Sequence, residues 1–205
     1  MMHVRFSLIS ADPRVLAGCI GYLEDEARPV LESQHGSLGM SLLEGPGVVI
    51  SESFWATHEA LWLSQETDAE LRGELARRVQ RPVTAEDYQV AVFEREARPG
   101  QAVRLTRVEV KPAGVPDVVH VYGDTAVPWL ADTPGFCETL LFADPGGGQL
   151  ISQTGWRDPA ARAASPSVAE MIRSNVLADD DCQIRAVDDY RLVFDSARKP
   201  GPAWG

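Results

Sequence analysis

The chain is a repeat of itself, and this limits its possible folds more than any other feature. A shift of 99 residues places Val4-Arg5 on Val103-Arg104, Ala27 on Ala126, Pro29 on Pro128, Leu31 on Leu130, Gly36 on Gly135 and Leu42 on Leu141. A shift of 101 then carries Ile50-Ser51 onto Ile151-Ser152, Trp55 onto Trp156 and Ser64 onto Ser165. A shift of 102 carries Asp87-Tyr88 onto Asp189-Tyr190. The matches keep their order, and the insertions fall at loops. The 205 residues read as repeat one at 1–95, a charged Pro-Gly linker at 96–101, repeat two at 102–196 and a flexible tail at 197–205.

Both repeats show the same order of elements. Stretches 4–10 and 103–110 alternate with a period near two and predict strands. Asp12-Pro13 offers a helix cap and a first-turn proline. Leu16, Cys19, Ile20, Leu23, Ala27 and Leu31 then recur at helical spacing, as do Val115, Val119, Tyr122, Ala126 and Leu130. Pro29 and Pro128 are expected to kink or end these helices. Second strands at 37–43 and 136–143 lead through glycine-rich turns into third strands at 48–55 and 149–156. Thr57 and Asp158 read as caps of second helices at 58–79 and 159–177, the latter restarting at Ser165-Pro166. Their buried stripes are Leu71, Leu75 and Val79, and Ile172 and Val176. Final strands fall at 88–94 and 190–195.

Strand, helix, strand, strand, helix, strand is the ferredoxin-like unit, an α+β fold with helices on one face of the sheet. The other face needs cover. Two tandem βαββαβ repeats packed sheet to sheet, an intramolecular dimeric α+β barrel, would supply it.

Composition removes several classes of partner. The net charge is −11, from 19 basic and 30 acidic residues, and residues 1–98 and 99–205 carry −7 and −4. Nucleic-acid binding needs concentrated positive charge, so no nucleic acid is expected. No run of 18 apolar residues and no signal-like start are present, so no membrane is expected. Three scattered cysteines without a CxxC pair argue against disulfides or zinc and point to the cytoplasm. Gly36-Ser37-Leu38-Gly39 lacks the spacing of a nucleophile elbow, and Gly146-Gly147-Gly148 precedes a strand, unlike a phosphate loop. Asp179-Asp180-Asp181 lacks the alternation of a calcium loop and reads as a solvated connection.

Three stretches carry a family resemblance. Ala27-Arg28-Pro29-Val30-Leu31 with Gly36 has its counterpart in Ala126-Val127-Pro128-Trp129-Leu130 with Pro134-Gly135-Phe136. The passage from Ile50 to Ala60 holds Trp55-Ala56-Thr57-His58-Glu59-Ala60, similar to a family pattern Trp-x-Ser-x-Glu-Ala. A looser copy runs from Ile151 through Trp156 to Ala161. In these the chain resembles the antibiotic biosynthesis monooxygenase family of the dimeric α+β barrel superfamily. The resemblance implies a cofactor-independent monooxygenase or related small-molecule enzyme acting on an aromatic or polyketide-like compound, with no cofactor. There the substrate's own anion is thought to hand an electron to oxygen, and the protein supplies a dry pocket, orientation and proton handling. Fold does not fix chemistry, and a non-catalytic binding or scaffold protein is the alternative. Association of two such chains into a homodimer is left open.

The same resemblance nominates residues. Trp55 and Trp156 match the tryptophan that lines the pocket, although each also fits a core anchor. Ser7 and Thr106 fall where haem-degrading relatives carry a first-strand asparagine. The helix after Trp55 offers Gln65 and Asp68 but no matching histidine, so haem degradation is disfavoured. Independently, His120 flanks its helix stripe near Tyr122 and is a candidate base near neutral pH. Tyr122 lies on the stripe, opposite Leu23 of the first repeat, and is the second candidate for proton handling. His58 is expected to be exposed, while His3 and His35 have no evident partner. No two histidines are spaced as a metal pair. Arg5 and Arg104 could hold an anion or form salt bridges at the strand edge.

Overall fold

Alternating side chains build the strands, and the computed structural model describes residues 1–96, 98–144, 146–165 and 182–199. The chain divides into two units. Unit one is Met1–Tyr88 with Leu192–Gly205, and unit two is Gln89–Arg191.

In unit one, β1 (His3–Ser10) pairs antiparallel with β3 (Val48–Trp55), which pairs antiparallel with β2 (Ser37–Gly45). Beyond β2, the Ser196 and Arg198 N–H groups bond the Met40 and Leu38 carbonyls. This stretch was expected to begin a loose tail, but Ala197 is buried. Helices α1 (Pro13–Tyr22), α2 (Arg28–Glu32), α3 (His58–Leu63) and α4 (Gln65–Val79) complete the unit. The predicted helix 58–79 is two helices, parted at Ser64, whose hydroxyl turns back onto the Leu61 carbonyl.

In unit two, β5 (Ala102–Val110) lies between β7 (Gln149–Trp156) and β8 (Cys182–Asp195), and β6 (Phe136–Asp144) lies between β7 and the second part of β4 (Thr84–Arg95). The helices are α5 (Val115–Val121), α6 (Val127–Ala131) and α7 (Pro159–Ala164). The predicted stripe residues Ile172 and Val176, the Pro166 restart and the Asp179–Asp181 connection lie outside the described residues. β4 and β8 are longer than the sequence suggested: residues 84–87 alternate weakly, whereas Cys182-Gln183-Ile184-Arg185-Ala186 does alternate and is a strand signal that sequence reasoning missed.

Neither first helix ends at its proline. A wide turn, Leu23–Ala27, joins α1 to α2, and Tyr122–Ala126 joins α5 to α6. The Arg28 N–H reaches back five residues to the Leu23 carbonyl, and the Val127 N–H reaches the Tyr122 carbonyl. One extra residue in the turn before Pro29 and Pro128 lets the helix absorb a ring that would otherwise meet the preceding turn. The second helices start as expected. Thr57 Oγ1 accepts from the Ala60 N–H at 3.1 Å, and Asp158 Oδ1 from the Ala161 N–H at 2.8 Å.

Candidate functional site

Strand register decides which side chains face the helices. Ser7 lies opposite Ser51, Arg5 opposite Ser53 and His3 opposite Trp55. Leu42 lies opposite Ser51 and Met40 opposite Ser53. With a side-chain period of two, these residues share a face with Ile9 and Val49. That face is the helix side. Ile9, Leu42 and Val49 pack with Leu16, Cys19, Leu23 and Leu75, while Met40 and Trp55 pack with Leu31, Ala60 and Leu61.

Between the two apolar groups lies a band of hydroxyls. Ser53 Oγ accepts from Trp55 Nε1 at 3.2 Å. The Ser7 and Ser51 side chains have no hydrogen-bond partner among the described residues, although Ser7 is only 5% exposed and Ser51 only 6%. Neither oxygen is among the fully buried unpaired side-chain atoms, so both hydroxyls keep some contact with open space.

Beside it stands an ion network whose Arg5 and Asp68 are buried and whose Asp87 reaches solvent. Arg5 Nε and Nη2 donate to the two Asp87 oxygens, each at 2.7 Å, and Nη1 donates to Asp68 Oδ2 at 3.3 Å. Arg72 also pairs with Asp68, one helical turn back. Burial, and then the neighbouring Arg5, hold the Arg72 pKa below its ordinary value. Two cations meet two carboxylates, so Arg5 is already paired and not free to hold an anion.

Unit two builds a similar floor and finishes it differently. Thr106 lies opposite Ser152 and Ala102 opposite Trp156. Trp156 Nε1 donates to Thr154 Oγ1 at 3.1 Å, and its ring meets Phe136 edge-on at 5.8 Å. The Tyr122 hydroxyl lies 2.5 Å from Thr139 Oγ1 and 2.8 Å from Ser152 Oγ. Thr139 donates its one proton to the Gln153 carbonyl at 3.0 Å. Proton counting then makes Tyr122 the donor to Thr139, and Ser152 the donor to Tyr122. Tyr122 is fully buried, and burial raises its phenol pKa above the ordinary value.

The candidates therefore separate. Trp55 and Ser7 share the helix-facing side of the sheet in unit one, four residues apart in register, and Trp156 and Thr106 do the same in unit two, where Tyr122 reaches Ser152 opposite Thr106. Both indoles are 1% exposed and are also core anchors. His120 is a correction. Its side chain is 74% exposed, with Nδ1 3.3 Å from Asp124 Oδ2. Two residues along a helix turn about 200°, so with Val118 and Tyr122 inward His120 points out and does not face the layer. Arg104 pairs with Asp189 at 3.1 Å rather than standing open. His3 does have a neighbour, since its ring meets that of His58 edge-on at 5.3 Å.

Sequence reasoning missed Ser51, Ser53, Ser152, Thr154 and Thr139. A signal was present: hydroxyl residues stand two and four places before Trp55 and before Trp156. Two surface clefts lie apart from these floors. One, of about 390 Å³, is bounded by Asp12, Arg78 and Arg81; the other, of about 380 Å³, by Arg98, Cys137 and Arg157. Burial, aided by Glu138, raises the Cys137 thiol pKa, which weakens it as a nucleophile. Among the described residues no three His, Cys, Asp or Glu side chains converge to hold a metal, and no helix is long and apolar enough to cross a membrane.

No family model matches the chain. Over 205 residues it is 26% identical to an uncharacterised protein of Mycobacterium tuberculosis (strain H37Rv), covering 98% of this chain and 87% of that one. Its fold is similar to that of an anthrone oxidase-like protein, with a TM-score of 0.65, 17% identity, and 98% and 96% of the two chains covered. It is also similar to a ferredoxin-fold protein related to antibiotic biosynthesis monooxygenases from Listeria monocytogenes 4b F2365. There the TM-score is 0.56, with 10% identity and 93% and 95% covered. The chain thus has the mixed α+β, ferredoxin-like fold of monooxygenase-related proteins.

Proposed function

We propose that this chain binds a small, oxygen-bearing aromatic compound beneath its helices and oxidises it with molecular oxygen, without a cofactor. The observation that carries this reading is the band of hydroxyls, set with a buried tryptophan on the helix-facing side of the sheet, in a layer that is apolar apart from the Arg5 network. Trp55 and Trp156 would wall the ligand, and Ser7 and Thr106 would orient its oxygens. Excluding water would favour electron transfer from the substrate. For an anthrone-type substrate the balance is a CH₂ group becoming a carbonyl, with one oxygen atom entering the product and the other leaving as water.

No described residue takes the part given to His120. Burial keeps Tyr122 protonated at neutral pH, where it is a donor and not a base. The substrate must therefore be acidic enough to supply its own anion, as electron-rich phenols and anthrones are. The same lack of a base favours a second reading, a non-catalytic small-molecule binder of this fold.

The further reading that the chain is a duplicated unit, its repeats packed as a covalent pseudo-dimer, rests on recurrence. The wide turn, the capped second helix and the tryptophan–hydroxyl bond all occur at both places.

Oxygen-uptake screening with hydroquinone and anthrone compounds tests the function, comparing wild type with Trp55→Ala and Trp156→Ala. Uptake reduced by a tryptophan substitution supports the oxygenase. Binding by calorimetry without uptake supports the binder, and neither uptake nor binding ends both readings.

A further inference from the structure

The two hydroxyl floors end differently at one position, and this distinguishes them. The wide helical turn begins with Leu23 in unit one and with Tyr122 in unit two, both buried against their sheet. We propose that the ligand site lies in unit one alone, on the Ser7 and Ser51 hydroxyls, and that the Tyr122 side chain takes the ligand's place in unit two. This rests on the small-molecule reading above and specifies where the ligand sits and what it is.

In unit two the phenol reaches the floor and uses it up. Ser152 donates to the Tyr122 oxygen, and Tyr122 donates to Thr139, whose own proton goes to the Gln153 carbonyl. The polar contact that a ligand would make with Ser152 is already made by the protein.

In unit one the corresponding residues cannot do this. Leu23 has no polar atom, and Met40 stands where unit two has Thr139. Ser51, the counterpart of Ser152, is left with no partner among the described residues, and Ser7 opposite it in register is in the same condition. The two neighbouring serines are each more than nine-tenths buried, yet neither hydroxyl oxygen is among the fully buried unpaired atoms, so both still meet open space with no partner there among the described residues. They face the helix layer next along the strand from Ser53, which the Trp55 indole bonds, and are suited to a polar group brought by a ligand.

The surroundings define the ligand. The Arg5–Asp68–Arg72–Asp87 network is internally neutral, so nothing there recruits a net charge. Leu23, Leu42 and Val49 make the rest of the layer apolar. The ligand binds in its neutral form, a flat, apolar molecule that is acidic enough to ionise unaided and carries a hydroxyl or carbonyl oxygen able to exchange hydrogen bonds with two serines.

The test uses the full-length protein and anthrone as the probe. Indole N–H resonances of Trp55 and Trp156 are assigned with tryptophan-to-phenylalanine variants, and stoichiometry is measured by calorimetry. The expected result is one equivalent bound, with the Trp55 resonance shifted and that of Trp156 unmoved. Leu23→Tyr, which copies the arrangement of unit two, should weaken binding at least about tenfold. Ser51→Ala, the milder variant, should weaken it several-fold, with folding of each variant checked by thermal melting. Two equivalents, a shifted Trp156 resonance, or unchanged affinity in Ser51→Ala overturns the assignment to unit one but leaves the small-molecule reading standing. No binding of anthrone or hydroquinone by the wild type overturns both.

Discussion

Arg5 grips Asp87 with two parallel hydrogen bonds, each 2.7 Å long, while its third nitrogen reaches Asp68 on α4. One side chain on β1 thereby ties the first strand to the start of β4 and to α4. The arginine is 3% exposed, and these hydrogen bonds compensate its removal from water. Unit two repeats the motif closer to water: Arg104 meets Asp189, and Arg162 meets the same carboxylate at 3.3 Å.

This difference predicts unequal costs. Arg5→Met removes two hydrogen bonds to Asp87, whose side chain is 43% exposed, and one to the buried Asp68, which keeps Arg72, so the expected loss is about 1–2 kcal/mol. Arg104→Met strands only Asp189, whose side chain is 43% exposed and keeps Arg162, so the expected loss is under about 1 kcal/mol. Urea unfolding of the two variants beside wild type checks both figures, and equal losses would contradict the assigned roles.

Glycines separate in the same manner. Gly36 has φ of +78°, and a Cβ placed there would lie 2.6 Å from the Ala60 Cβ. Gly36→Ala therefore pays for a left-handed backbone and a clash together, a loss of about 2 kcal/mol. Gly18 sits on the exposed side of α1 with nothing within 4 Å of its would-be Cβ. Gly18→Ala should stabilise by up to about 1 kcal/mol, through helix propensity alone. Melting temperatures should move in opposite directions.

Much of the fold could be read in the residues because it is set locally. Gly36 and Gly135 do open strands, Thr57 and Asp158 do cap helices, and Pro13 stands in a first turn, each for a reason confined to a few neighbours. The wide turns before Pro29 and Pro128 were not legible, because a proline pattern fits an ended helix as well as a widened one. His120 was misplaced by a helical phase argument that Val118 and Tyr122 decide the other way. The hydroxyl floor depends on cross-strand register, Ser7 against Ser51 and Thr106 against Ser152, which no single segment reveals. Thr139 becomes part of the floor only because the Tyr122 ring reaches it.

Tyr122 links stability to pH. Tyr122→Phe removes the acceptor of Ser152 and one donor to Thr139, while Thr139 keeps its bond to the Gln153 carbonyl. The expected loss at neutral pH is about 1–2 kcal/mol. Burial raises the phenol's folded-state pKa above the value near 10 of an unfolded chain. A group with a raised folded pKa gives its full stabilisation below the unfolded value and loses it as pH rises through the folded one. Wild type should therefore weaken above about pH 10, and the phenylalanine variant should lack this component. Tyr22, whose pKa is also raised, remains in both proteins and adds the same slope to each. Urea unfolding from about pH 8 to about pH 11 should show the gap between the two narrowing as pH rises. A gap that stays constant would mean that the buried phenol is not held protonated.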